Sequence, residues 1–281
     1  MQKRIAAIHD ISCFGKCSLT AAMPIISAAG IEVCVIPTAV LSTHTGGFAG
    51  FTYRDLTDDL LPIATHLSTL PIKFDAIYTG FLGSFKQLDI AARVIKLLGR
   101  EDALVVVDPV MADNGALYQT MPKDFPEGMR GLCARADMIV PNITEAALLL
   151  DEPYKRWPHT QEYVESLLLR LAKLGPRYVV LTGTGFDDKH MGAAAYDKQS
   201  GSISYAFSKH MPGLYHGAGD VFSSALVAAA LSGFGIKKAV RTAADFTAGS
   251  IRRTNKAGTD LRFGLCFEPQ LPRLIKTLGR R

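Results

Sequence analysis

The residues best suited to chemistry lie in short polar or glycine-rich segments. In His216-Gly217-Ala218-Gly219-Asp220, two glycines let backbone amides approach an anion closely. The apolar, alanine-rich stretch 222–231 that follows has the character of a buried helix closed by Gly233, whose positive end would face the same point. A carboxylate beside such an anion hole suits phosphoryl transfer to an alcohol. Asp220 would accept the hydroxyl proton as charge develops, while the amides of Gly217, Ala218 and Gly219 and a metal stabilise the phosphoryl oxygens. The same residues also read as an Asp-capped helix after a glycine turn.

Asp108-Pro109-Val110-Met111-Ala112-Asp113-Asn114-Gly115 follows a strongly apolar run and offers two carboxylates five residues apart. Magnesium favours a few carboxylates plus phosphate oxygens, so the pair could hold it directly or through water; an ordinary Asx and glycine turn is the alternative. Pro141-Asn142-Ile143-Thr144-Glu145 has capping-box spacing, and Glu145 on that first turn would sit near the same crevice. Thr182-Gly183-Thr184-Gly185 could pass a nucleotide phosphate or form a plain turn. On the acceptor side stand Asp10 and Ser12, then His44-Thr45-Gly46-Gly47, and then Gly80-Phe81-Leu82-Gly83. Thr45 suits a hydroxyl contact to substrate, whereas His44 reads as a histidine satisfied by loop backbone. Phe81 is either an aromatic wall or core.

The elements between these segments would position them. Residues 4–9 read as a buried strand, 19–29 as a helix ended by Gly30, and 32–37 as a second strand, which makes a βαβ opening. Further β-branched runs at 76–78, 103–107, 138–140 and 178–181 are separated by helix-length segments, so a parallel sheet with helices on both faces is expected. Residues 42–70 begin as a glycine- and threonine-rich loop, a candidate lid, and end with helical spacing. A hairpin is expected where 193–196 and 203–207 flank a turn at 197–201. Ligands of open parallel sheets bind at the carboxyl ends of the strands, where the polar segments fall.

Composition excludes other classes. With 48% hydrophobic and 20% charged residues the chain can bury a large core and is not disordered. One domain over residues 1–281 is expected. The net charge of +5 comes from scattered Lys and Arg, mildly enriched over 237–262 and at Arg280-Arg281, without the basic stripe or reading module that nucleic acid demands. Five cysteines without a CxxC pair fit a reducing cytoplasm, Cys13 and Cys17 reading as small buried residues that could face one another across a helical turn. The apolar stretch 5–8 is too short for a signal peptide, and no run approaches the ~18 apolar residues of a membrane span. A cytoplasmic protein with no membrane or nucleic-acid partner is therefore expected.

In chain order, Ser42-x-His44-Thr45, Thr79-Gly-Phe-Leu-Gly-Ser84, the DPVMxDxG run 108–115, PNxxE at 141–145, TGTG at 182–185 and GAGD at 217–220 resemble the pyridoxal kinases of the ribokinase-like superfamily over nearly the whole chain. The resemblance implies a ribokinase-like three-layer α/β sandwich. It implies MgATP-dependent phosphorylation of the 5'-hydroxymethyl group of pyridoxal, pyridoxamine or pyridoxine, as in pyridoxal 5'-phosphate salvage, by a homodimer. Asp220 becomes the base and Gly217 to Gly219 the anion hole. Asp108, Asp113, Asn142, Glu145, Thr182 and Gly183 fall on the ATP side, where Asp108, Asp113 and Glu145 would hold Mg²⁺, with room for a monovalent cation. Asp10, Ser12, Thr45, Gly46 and Phe81 fall on the substrate side.

Three positions depart from the pattern. Asp10 stands where many such kinases have Ser and is expected to contact the pyridine nitrogen or 3-hydroxyl. Phe81 replaces a common Tyr. Thr182 replaces a Lys found in some relatives, leaving phosphate neutralisation to metal or to cations such as Lys189 and Lys209. The hydroxymethylpyrimidine kinases are the nearest alternative, although their anion hole commonly ends in Cys. Sugar kinases, which also use GAGD, typically carry a longer lid. A non-catalytic sensor would usually lose Asp220 or a flanking glycine, and a pyridoxal phosphate carrier would have to retain product.

Overall fold

The computed structural model describes residues 2–279; Arg280 and Arg281 lie outside the described residues. The elements run β1 (Arg4–Ser12), α1 (Leu19–Ala28), β2 (Glu32–Leu41), β3 (Tyr53–Asp55), α2 (Thr57–Thr69), β4 (Phe74–Thr79), α3 (Phe85–Leu98) and β5 (Gly99–Val107). They continue with β6 (Ala112–Asp113), β7 (Ala116–Leu117), α4 (Phe125–Cys133), β8 (Met138–Ile139), α5 (Ile143–Leu149), α6 (Gln161–Ala172) and β9 (Tyr178–Thr184). The chain closes with β10 (His190–Asp197), β11 (Ser202–Lys209), α7 (Ala218–Leu231), α8 (Ile236–Ala257) and α9 (Leu271–Thr277).

A nine-stranded sheet in the order β11-β10-β9-β8-β5-β4-β1-β2-β3 forms the middle layer. Neighbours from β2 through β9 are parallel; β3 and β10 are antiparallel. Side chains alternate across the sheet, so each strand feeds two cores. Ile77, Val105 and Val107 pack with Leu60, Leu88 and Leu167 from α2, α3 and α6. Ala76, Tyr78 and Val106 pack with Ile25, Leu226 and Val240 from α1, α7 and α8. Burial on both faces explains why these strands read as unbroken apolar runs. Strand order reverses at β1, which has β2 on one side and β4 on the other, and this switch point opens a crevice at the strand carboxyl ends.

The expected β10–β11 hairpin, the helix over 222–231 and the helix closing the 42–70 stretch are all present. Two strand ends are corrected. β1 runs three residues past His9, so Asp10 and Ser12 belong to its last turn of pleat and not to a loop. β2 passes through Pro37 to Leu41; the β1–β2 register slips between His9 and Ile11, opposite the proline that has no N–H to give. Asp113 does not leave the main sheet with Asp108, because a separate β6–β7 hairpin carries it around an Asn114-Gly115 turn with both φ angles positive, 51° and 84°. No helix among the described residues is long and apolar enough to cross a membrane.

Candidate active site

The strand ends stand in a row stitched by main-chain bonds. The Gly80 amide donates to Ile8 O at 3.0 Å, Asp108 to Thr79 O at 3.0 Å, Val140 to Val107 O at 3.1 Å and Thr182 to Pro141 O at 3.0 Å. These bonds bring the Gly80, Asp108, Asn142 and Thr182 segments shoulder to shoulder along one sheet edge. Thr182 and Gly183 are strand residues rather than a turn after it, since β9 extends to Thr184. Gly183 is the extra residue of a bulge, between Thr182 opposite Ala193 and Thr184 opposite Gly192. Lys189 and Lys209 both lie exposed at that end of the hairpin.

Helix α7 begins at the centre of this edge. Gly217 is its N-cap in the left-handed region, φ 75°. A Cβ on it would sit 2.5 Å from Lys16 O and 3.2 Å from Cys17 Sγ. Protein packing therefore demands a glycine there. Gly219 is different: its φ is not positive, it is exposed, and a Cβ would meet nothing within 4 Å beyond its own helix and chain neighbours. Nothing in the chain's own packing calls for a glycine at 219, and the space in front of it is open to a ligand. The Ala218 amide turns back to Tyr215 O at 3.2 Å, so of the three proposed anion-hole residues Ala218 has its amide committed. The amides of Gly219 and Asp220 remain among the donors that a helix start leaves without an intrahelical partner. Asp220 is the third residue of the helix and does not cap it, correcting that alternative.

Asp220 is half-buried. Burial pushes its carboxyl up to about 7; the Asp10 carboxylate adds to the rise and the Ser18 backbone amide opposes it. A carboxylate poised near neutrality can take up a proton and release it again at working pH.

On the other side, Asp108 is 6% exposed and accepts a hydrogen bond from Ser223 Oγ at 2.7 Å. Ser223 comes one helical turn after Asp220, so α7 presents the base and a support for Asp108 on one face. Sequence reading missed this serine, although the i, i+3 spacing from Asp220 was there to find. The capping box at Asn142 is real: Asn142 Oδ1 accepts from the Glu145 amide at 2.9 Å and Glu145 Oε2 from the Asn142 amide at 2.8 Å. Glu145 Oε1 accepts from the Met111 amide at 3.2 Å, and Asn142 Nδ2 donates to Ala112 O at 2.9 Å. Asn142 and Glu145 thus lock the 108–115 segment in place. Burial, with Asp108 close by, raises the Glu145 carboxyl; Asp108 is raised too, by burial first.

The expected metal trio is not assembled as one cage. Asp113 is exposed on its hairpin with both carboxylate oxygens turned to Asn114, and Glu145 is occupied by main-chain amides. No group of three His, Cys, Asp or Glu gathers as a metal site among the described residues.

On the acceptor side the loops after β1 and β2 interlock, the Cys13 amide donating to Leu41 O at 2.9 Å. His44 is satisfied by backbone, as expected: its Nδ1 accepts from the Gly46 amide at 3.1 Å, which leaves Nε2 to donate to Arg262 O at 2.7 Å. Its ring stacks on His216 at 5.0 Å, next to the anion-hole turn. Phe14, Phe48 and Phe263 extend this into an aromatic wall, with Arg262 over Phe48. Sequence reading found none of these four residues, since three distant segments supply them. Thr45 is exposed and Gly46 half-buried against His216, while Phe81 is half-buried and packs on the core. Asp10 is 4% exposed, and both of its oxygens are engaged, Oδ1 by Ser18 Oγ at 2.5 Å and Oδ2 by Ser12 Oγ at 2.9 Å.

Cys13 and Cys17 do not face each other across a helical turn; the segment is a loop that leaves Cys13 exposed and Cys17 buried. A cavity of about 670 Å³ shares no residue with this site. It is lined by Ile236, Arg241, Phe246 and Leu274 beyond the opposite end of α7.

Comparison with known proteins agrees with this geometry. Residues 16–262 match the model of the phosphomethylpyrimidine kinase family. Pyridoxine kinase of Bacillus subtilis (strain 168) is 31% identical over 198 residues, 68% of this chain and 70% of that protein. A Bacteroides thetaiotaomicron protein, described as a phosphomethylpyrimidine kinase and crystallised with pyridoxal, is 39% identical. It superposes with a TM-score of 0.92 over 98% of this chain and 96% of its own. Pyridoxal kinase from Lactobacillus plantarum is 28% identical, with a TM-score of 0.89 over 98% of both chains. The ribokinase-like fold is shared with the two solved structures, and this chain belongs to the phosphomethylpyrimidine kinase family and, within it, to the pyridoxal kinases, enzymes that place a phosphoryl group on an alcohol.

Proposed function

We propose that residues 1–281 act as one kinase domain that transfers the γ-phosphoryl group of ATP to the 5'-hydroxymethyl oxygen of a B6 vitamer, with Asp220 as general base. The observation that carries this reading is the pairing at the start of α7: an exposed glycine at 219 whose Cβ position faces open space beside free helix amides, and one residue later a carboxylate that burial pushes up to about 7. The vitamer would lie between the aromatic wall and Phe81, its hydroxymethyl group against Asp220. The Gly219 and Asp220 amides, at the positive end of a 14-residue helix, would receive the transferred group's oxygens. The nucleotide would run along the strand-end row past Asn142, Thr182 and Gly183, with Lys189 or Lys209 as the cation near its phosphates.

For Mg²⁺, Asp108 is the fitting protein ligand, since Ser223 engages only Oδ2; Glu145 and Asp113 would act through water. The ion would neutralise charge on the phosphate oxygens. Asp rather than Cys at 220, and the pyridoxal found in the Bacteroides relative, favour a vitamer over hydroxymethylpyrimidine. The test is turnover with MgATP of pyridoxal, pyridoxamine, pyridoxine and hydroxymethylpyrimidine in parallel. At least one vitamer is expected to exceed hydroxymethylpyrimidine in kcat/KM by about ten-fold or more, on the order of one well-made polar contact. Preference for the pyrimidine would overturn the reading.

A further inference from the structure

Ser18 occupies a conformation that L-residues rarely adopt, φ 53° and ψ −130°, in a loop where Gly15 and Lys16 also have positive φ, 111° and 54°. A glycine would sit there without strain, so the serine side chain must supply something in return. Its position suggests an N-cap for α1, yet its hydroxyl makes no capping bond. The hydroxyl donates instead to Asp10 Oδ1 at 2.5 Å, across eight residues of chain. The two residues before it lie against the start of α7, where a Cβ on Gly217 would meet Lys16 O at 2.5 Å and Cys17 Sγ at 3.2 Å. Asp10 is held on its far side by Ser12 Oγ at 2.9 Å and is buried, so it is an anchor with both oxygens in use.

We propose that Ser18 is a positioning residue: its hydroxyl, anchored on Asp10, fixes the 13–18 loop against Gly217 and so sets the start of the helix that carries the catalytic base. This rests on Asp220 being the base. It also gives Asp10 a different task from ring recognition: it fixes the 13–18 loop and lends a repelling negative charge to the site. The other ionisable groups facing Asp220 are Cys17 in the loop, Tyr78 on β4, Asp108 at the end of β5 and Tyr118 after β7.

The test reads Asp220 directly, so that it does not depend on turnover. The carboxyl carbon of Asp220 is titrated by NMR in the free full-length protein, in Ser18→Gly and in Asp10→Asn, alongside kcat and KM with pyridoxal and MgATP. Ser18→Gly relieves the backbone but loses the anchor on Asp10. The Asp220 midpoint is expected to rise and kcat to fall about ten-fold, with KM for MgATP within two-fold of wild type and the melting temperature maintained. Asp10→Asn still accepts the Ser18 hydroxyl but loses its charge, so the midpoint is expected to fall. Midpoints that match wild type in both variants would overturn the proposal, whatever the activity. Midpoints that move as expected in a protein that phosphorylates no vitamer would sustain the coupling and overturn the functional reading instead.

Discussion

Asp220→Asn is expected to lower kcat for vitamer phosphorylation by about 10²–10⁴-fold, the usual range for loss of a general base, with little change in KM for ATP. The side chain keeps its shape and its place, so the loss isolates proton acceptance. The pH dependence follows from the same group. A base must be ionised to act, and with Asp220 raised to about 7 the wild-type rate should climb through an acid limb near neutrality, well above the ordinary carboxyl value of 3.8. Stability should run the other way. A group whose folded-state value lies above its unfolded one contributes stability that is complete below about pH 4 and is lost as pH rises through about 7. The asparagine variant carries no charge to bury, so at pH 8 it should melt at or above the wild-type temperature, and the difference should vanish towards pH 4. An inactive but undestabilised variant is the signature of a functional carboxylate; a structural one would show the reverse.

Gly219→Val is the second expected large effect. A Cβ there meets nothing within 4 Å beyond its own helix and chain neighbours and the backbone needs no positive φ, so the fold should tolerate the change, and valine is no worse than glycine in a helix. The branched side chain would instead fill the space in front of the free amides, where the transferred phosphoryl group would sit. A loss in kcat/KM of about 10²-fold or more, comparable to removing one oxyanion-hole donor, is expected at an unchanged melting temperature. Gly217→Ala gives the contrast. Its Cβ collides with Lys16 O at 2.5 Å in a left-handed conformation, so the melting temperature should drop. If Gly219→Val retained full activity, the anion hole would have to lie elsewhere.

The parts of this site that a reader of sequence could find are those whose reason is local. Apolar runs buried on both faces marked the strands but not all of their ends, since β1, β2 and β9 run on past His9, Pro37 and Leu181. The Asn142–Glu145 box announces its own hydrogen bonds by spacing. What stayed hidden depends on contacts between distant segments. His44, His216 and Arg262 meet only because β2, α7 and the segment after α8 end at one place. Ser18 sits where a helix cap would, and local pattern says nothing of an Asp10 across the loop that takes its hydroxyl instead. The carboxylates misled in a similar way. Asp108 and Asp113 are close in sequence, but an Asn-Gly turn sends the second into a hairpin of its own, while Asp108 finds its partner 115 residues away in Ser223.

The central claim is that this chain places a phosphoryl group on the 5'-hydroxymethyl oxygen of a B6 vitamer. The most direct measurement is to incubate the purified protein with MgATP and pyridoxal and to locate the phosphate in the product by mass and phosphorus NMR. A phosphate monoester at the 5' carbon, formed in step with ADP and almost absent with Asp220→Asn, is the predicted result. ADP released without any vitamer ester, or ester formed equally well by the Asp220→Asn protein, would contradict the account.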